Sequence, residues 1–124
     1  MKWISPEAVK QIHDEVIRAT GGCEDIRDWS LLESAVNNPL ATFGGEDLYP
    51  GLLAKVAALL YGLARNHPFV DGNKRTAFVA AVVVLRKNGL RLRASQFEVI
   101  EFMEAVASGR VSQKEIVDWL EQHV

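Results

Sequence analysis

"HPFVDGNKRTA", residues 67–77, separates two apolar stretches, Leu52–Leu63 and Ala77–Leu85. If both flanks are helices, Lys74 and Arg75 stand at the start of the second. There the unpaired N–H groups and the helix dipole leave a partial positive charge. Each cation then costs roughly 0.3–1 kcal/mol unless something offsets it. A bound anion would.

The flanks do read as helices. Upstream, Leu52, Val56, Leu59, Leu60 and Leu63 follow helical spacing, Leu53 and Ala57 widen the apolar face, and Pro50 can begin the segment. Downstream, "AFVAAVVVLRKNG" contains three adjacent valines that also fit a buried strand. Its length, its small alanines and its exit through Arg86, Lys87 and Gly89 favour a helix. Apolar on nearly every side, it is expected to be the central helix. Nearer the N-terminus, Ser5-Pro6-Glu7 is a cap followed by a first-turn proline. Val9, Ile12, Val16 and Ile17 share one face before Gly21-Gly22 ends the run. A shorter helix is expected over Ser30–Asn37, then an exposed loop or small hairpin over residues 38–49. Ser95 with Glu98, and Ser112 with Glu115, are capping boxes that open two further helices. "LRLRA" (90–94) between them reads as a short extended piece. The fold class is therefore all-α: about six helices, one of them central and buried, in a single domain over residues 1–124.

Composition narrows the function. Of 124 residues 48% are hydrophobic, and the formal net charge is −2, so the surface as a whole gives no reason to expect nucleic acid or membrane as a direct partner. The apolar runs are broken by charge well short of a membrane span. The N-terminus turns acidic and helical too early for a signal peptide. The lone Cys23 cannot form an internal disulfide, which points to a reducing cytoplasm.

Within the motif, Pro68 biases His67 out of helical angles and into a loop. A loop imidazole can accept a proton near neutrality, as a general base must. Phe69, apolar in a polar loop, suits an anchor into the core. Asp71 offers the hard oxygen that Mg²⁺ accepts. Gly72 permits positive φ or close approach of a ligand. Asn73 and the N–H groups after it can form an anion nest at the helix start. With a polyphosphate seated there, Lys74 and Arg75 make sense. Base, metal ligand, phosphate cradle and cations together describe group transfer from a nucleoside triphosphate. Taken singly, each residue has an ordinary explanation: Asn73 caps helices well, "DGN" is a common turn, and the cations can be solvated surface charges. A Walker-A loop is excluded, because no G-x-x-x-x-G-K-[ST] is present.

"HPFVDGNKR" resembles the signature loop of the Fic/Doc (death-on-curing) family, usually H-P-F-x-[D/E]-G-N-G-R. Lysine at the second glycine is the form typical of the death-on-curing branch. "ISPEAVKQIHDEVI", "LLESAVNNP", "LYPGLLAKVAALLYGLARNHPF" and "NKRTAFVAAVVVLRKNGL" extend the likeness along nearly the whole chain. The resemblance implies a six-helix Fic-type domain that uses Mg²⁺ and ATP to modify a hydroxyl on a target protein. His67 would be the general base, Phe69 the structural anchor and Asp71 the metal ligand. Gly72, Asn73 and Lys74 would form the anion hole, with Arg75 gripping the nucleotide phosphates. The segment Phe43, Gly44, Gly45, Glu46 and Asp47 would match the family's flap, which adds to the target segment as a strand. Lys74 favours a kinase reaction, with translation elongation factor Tu as target and translation arrest as outcome. Gly72 and Pro68 retain the loop of the AMP-transferring members, so AMP transfer is the alternative. A catalytically inert partner-binding module is a third.

The family's inhibitory [S/T]-x-x-x-E-[G/N] helix is poorly matched by Thr20–Asp25. Control in trans is therefore implied: the chain would be the toxin of a toxin–antitoxin pair, held by a helical C-terminal segment of its antitoxin. Elsewhere, His13 reads as a packed structural residue, and His123 as uninformative. Trp3, Trp29 and Trp119 read as core or antitoxin-groove anchors. Arg86, Lys87, Arg91 and Arg93 form a cluster whose default is solvation. Cys23 lacks a neighbouring base.

Overall fold

Ser5 starts the first helix, α1 (Pro6–Thr20), by accepting a hydrogen bond from the Ala8 N–H, and Gly21 ends it at φ 83°. A computed structural model describes all residues 1–124. The second helix, α2 (Trp29–Asn37), begins one residue earlier than the sequence suggests. Asp28 is its cap, and its Oδ1 accepts from the Ser30 and Leu31 N–H groups. A 3₁₀ turn (Asn38–Leu40) leads into a two-stranded ribbon, β1 (Thr42–Phe43) against β2 (Glu46–Asp47), antiparallel with Phe43 opposite Glu46. The hairpin alternative for residues 38–49 is thus the observed one. Then come α3 (Leu52–Asn66), α4 (Asn73–Lys87), α5 (Gln96–Ala107) and α6 (Gln113–His123). Both capping boxes form as read. The valine run is helix, which settles the strand alternative.

The central helix is α3, not α4. Val56–Leu60, Leu63 and Ala64 are all buried, and α3 packs against α2, α4, α5, α6 and the 3₁₀ turn. Gly62 lies within it because α2 passes very close: a Cβ there would meet Ala35 Cβ at 3.2 Å and Ala35 Cα at 3.3 Å. On α4 the alanines 77, 80 and 81 are buried, whereas Phe78, Val79, Val82 and Val83 keep partial exposure. Phe78 and Val79 form part of a groove wall between α1 and α5. The helix is apolar all round because it lines both core and groove. Core packing draws on all six helices, and no helix is long and apolar enough to cross a membrane.

Trp3 and Trp119 pack against the core, Trp119 stacking on Phe102 at 4.0 Å between ring centroids, while Trp29 is exposed. None of the three lines the groove. His123 does have work: its ring bridges the Trp119 carbonyl and Glu98, tying the end of α6 to the start of α5.

Candidate active site

The loop that joins α3 to α4 is shaped by its own sequence. His67 caps α3 in the left-handed region, at φ 49° and ψ 60°, the one non-glycine with positive φ. Pro68, next in line, cannot continue a helix. Phe69 turns inward, 1% exposed, and stacks on the fully buried His13 ring at 3.8 Å and 7°. Asn73 then staples the loop shut. Its Oδ1 accepts from the Phe69 N–H (3.0 Å), and its Nδ2 donates to the Phe69 carbonyl (2.9 Å). The Asn73 side chain is therefore committed to the protein, and only its N–H faces outward. The N-cap of α4 is Gly72, at φ 79°, and a Cβ there would press on Ile17 Cδ1 at 3.0 Å.

Around this loop the structure brings together most of the residues singled out above. The N–H groups of Asn73, Lys74 and Arg75 have no protein acceptor, and the first intrahelical bond of α4 comes from Thr76 to Gly72. Three open donors converge as an anion nest requires. They face a cleft of about 360 Å³ walled by Ile17, Gly21, Gly22 and Asp71–Arg75. Asp71 holds one oxygen on the Cys23 N–H (2.9 Å), leaving the other without a protein partner. The Arg75 guanidinium is exposed and unpaired. Lys74 lies elsewhere than over the nest: its Nζ pairs with Glu104 on α5, and this bond holds the Glu104 carboxyl below its ordinary range. The His67 ring is exposed. Its Nδ1 is 3.5 Å from Asn73 Nδ2, the outer limit of a hydrogen bond, and Nε2 has no protein partner. Nε2 is thus the ring atom left open toward solvent.

The hairpin is tied to the other end of α3. Lys55, buried on the first turn of α3, pairs with Asp47 Oδ2 (3.0 Å) and with the Tyr49 carbonyl. His67 lies twelve residues further along, an axial distance of about 18 Å at 1.5 Å per residue. No hydrogen bond joins the hairpin to the loop. Beside the cleft, and sharing Lys74 and Arg75 with it, runs an apolar groove of about 610 Å³ walled by Val16, Phe78, Val79, Val99, Ile100 and Met103.

The sequence profile of the Fic/DOC family matches residues 3–85, from just before α1 to near the end of α4. The chain belongs to the Fic/DOC family. It is 54% identical over 81 residues to the Toxin Doc of Mycolicibacterium smegmatis, a match covering 65% of this chain and 62% of that protein, so under two thirds of that relative is spanned. It is 32% identical over 120 residues to the Protein kinase doc of Escherichia phage P1, covering 97% of this chain and 94% of that one.

In this Fic/DOC chain, His13 is packed as its sequence reading had it, but its bond to the loop, and those of Cys23 and Arg27, were not foreseen. His13 Nε2 donates to the Asp71 carbonyl (2.7 Å) as well as stacking on Phe69. A polar ring on the apolar face of α1 was the available signal, since a buried imidazole needs a partner. Cys23 and Arg27 bind the loop across 48 and 40 residues, which no local pattern announces.

Proposed function

We propose that this protein is the toxin of a toxin–antitoxin pair and transfers the terminal phosphoryl group of Mg-ATP to a hydroxyl of a target protein. One observation carries the reading: a single loop carries an exposed imidazole with a free Nε2, three free N–H donors, a carboxylate and a free guanidinium. In the reaction His67 takes the proton of the target hydroxyl as its oxygen attacks the γ-phosphorus. The bond from that phosphorus to the β–γ bridging oxygen breaks, and ADP leaves. The donors of the α4 start and Arg75 hold the phosphates and stabilise the charge that develops on them. The residues fit Mg²⁺, which is commonly held by one or two carboxylates together with substrate phosphates. Asp71 has one oxygen free beside the nest, and the ion would neutralise phosphate charge.

The name of the phage relative, a protein kinase, favours phosphoryl over AMP transfer. The target that the family resemblance suggests is elongation factor Tu, whose modification would arrest translation in the cytoplasm. The antitoxin seat is the groove between α1, α4 and α5: it is apolar, and Ile100 (55% exposed) on its wall and Phe97 (72% exposed) one helical turn away suit an amphipathic helix. That helix would be the C-terminal segment of the antitoxin. Purified protein, given lysate, Mg²⁺ and ATP labelled at either the α- or the γ-phosphate, tests the reaction. γ-Label on a protein, lost in His67→Ala, is expected. α-Label instead would establish AMP transfer, and no label of either kind would leave the inert binding module.

A further inference from the structure

Residues 23–28 form a strap along one edge of the 67–75 loop. The Val70 N–H donates to the Asp25 carbonyl (3.2 Å), and the Arg27 and Asp28 N–H groups both donate to the Pro68 carbonyl (2.8 and 3.1 Å). Ile26 pairs with Phe69 as an antiparallel bridge. All of these are backbone bonds, indifferent to side-chain identity. One side chain adds to them. Arg27 Nε donates to the His67 carbonyl (2.7 Å), and its Nη2 to the Asn66 carbonyl (2.8 Å).

We infer that Arg27 is a positioning residue that sets the direction of the His67 imidazole. The argument is geometric. The Asn66 carbonyl belongs to the peptide plane before the His67 Cα, and the His67 carbonyl to the plane after it. A guanidinium is rigid and planar, so binding both oxygens with one fork fixes the two dihedrals between those planes. Those dihedrals, φ 49° and ψ 60°, are the left-handed pair that an L-residue resists by about 1–2 kcal/mol. The last carbonyls of α3 also carry the negative end of the helix dipole, which favours a cation there. Arg27 has no carboxylate partner competing for it. Asp28 beside it is occupied in capping α2, which leaves the Arg27 fork free for the loop. Swinging the His67 Cα into another region would redirect the imidazole by ångströms, and an error of about 1 Å in a reacting group can cost about a hundredfold in rate.

This inference rests on His67 being the base, so the test reads both the backbone and the reaction. The variants are Arg27→Gln and Arg27→Lys, in the full chain. Because the strap's backbone bonds survive, both are expected to fold, and the NMR signals of Ile26 and Val70 should stay in place. The ¹³Cα and ¹³Cβ shifts of His67 should move away from the left-handed range. Transfer of γ-label should fall about 10- to 100-fold in kcat, with KM for ATP changed less than about twofold. Lysine should fail to rescue, since one ammonium cannot hold both planes. Unmoved His67 shifts would overturn the inference whatever the activity. Moved shifts with an unchanged kcat would overturn it too, as would a kcat that falls only in proportion to the unfolded fraction. If the wild-type protein transfers no label at all, it is the proposed function that fails, and the His67 shifts still decide whether Arg27 sets its backbone.

Discussion

Asn73→Ala separates the two jobs that the sequence allows this residue, ligand contact and internal staple. In the structure Asn73 is 8% exposed, and its amide makes both hydrogen bonds to Phe69, itself 1% exposed. Truncation leaves the Phe69 N–H and carbonyl without partners. A buried group so orphaned costs about 1–3 kcal/mol. With water able to reach part of the vacated space, the pair should cost about 2–4 kcal/mol. At about 4 °C per kcal/mol for a chain of this length, the melting temperature should drop by about 8–16 °C. Urea unfolding of nucleotide-free protein, followed by the fluorescence of its three tryptophans, measures this directly. Asn73→Asp sharpens the test. It keeps the acceptor for the Phe69 N–H but turns lone pairs toward the Phe69 carbonyl, so part of its cost should vanish when acid protonates the carboxyl. A loss under about 0.5 kcal/mol in Asn73→Ala, accompanied by loss of ATP binding, would refute the staple and return the amide to the ligand.

His67→Gly should abolish transfer yet exceed His67→Ala in stability by about 1 kcal/mol, because only glycine adopts the left-handed region without penalty; alanine being the more stable in urea would deny the positive φ. Thr76 is fully buried with its hydroxyl unpartnered, so Thr76→Val should leave stability unchanged or raise it by up to about 1 kcal/mol; a loss of that size would mean the hydroxyl has a partner. Lys55→Met should free the hairpin, seen as faster proteolysis at Gly44-Gly45 with the helical circular dichroism retained; an unchanged cleavage rate would show that Asp47 and Tyr49 do not anchor it. Finally, stability should depend on pH through the α5–α6 clasp. His123 is raised above its ordinary 6.5 by donating to the Trp119 carbonyl and then by Glu98; Glu98 is lowered from 4.5 to about 2, chiefly by the Ser95 N–H and then by His123. The histidine contribution is complete below pH 6.5 and fades as pH rises through its raised value; the glutamate contribution is complete above 4.5 and fades toward 2. His123→Gln should therefore flatten the fall in urea midpoint above neutrality, and an unchanged profile would deny the clasp.

What could be read from the sequence divides by range. Caps, capping boxes and helical spacing act within four residues, and they placed the six helices within a residue or two. The motif also acts locally, and its backbone donors lie where the charge argument needs an anion. Two side-chain placements were left open by the sequence for one physical reason. Asn73 is polar and α4 is apolar on every side, but polarity and apolarity do not say which partner answers them. The Asn73 amide turned inward to the Phe69 backbone four residues back, and one apolar face of α4 turned outward to a groove. The choice of α3 as the central helix depended on α2 approaching Gly62, a contact between elements that no spacing encodes. Arg27 and Cys23 were beyond local reading for the same reason: their bonds to the loop span 40 and 48 residues.

The strain at His67 and the openness of the α4 start are two sides of one construction. A helix that ended in the usual way at Asn66 would spend a glycine there, and a helix that began in the usual way at residue 73 would cap itself with a side-chain oxygen. This chain does neither. It puts the imidazole where a glycine would be cheapest, and it leaves the cap of α4 to Gly72, which has no oxygen to offer. Stability is recovered behind the loop instead, from His13 on the Asp71 carbonyl, Asn73 on Phe69, and the strap with Arg27. None of these contacts uses the N–H groups of residues 73–75, the second Asp71 oxygen or the Arg75 guanidinium, so those groups stay free. A fold selected for stability alone would close those groups on itself; their remaining open, at the one place where a non-glycine backbone is also strained, is the structural argument behind the proposed function.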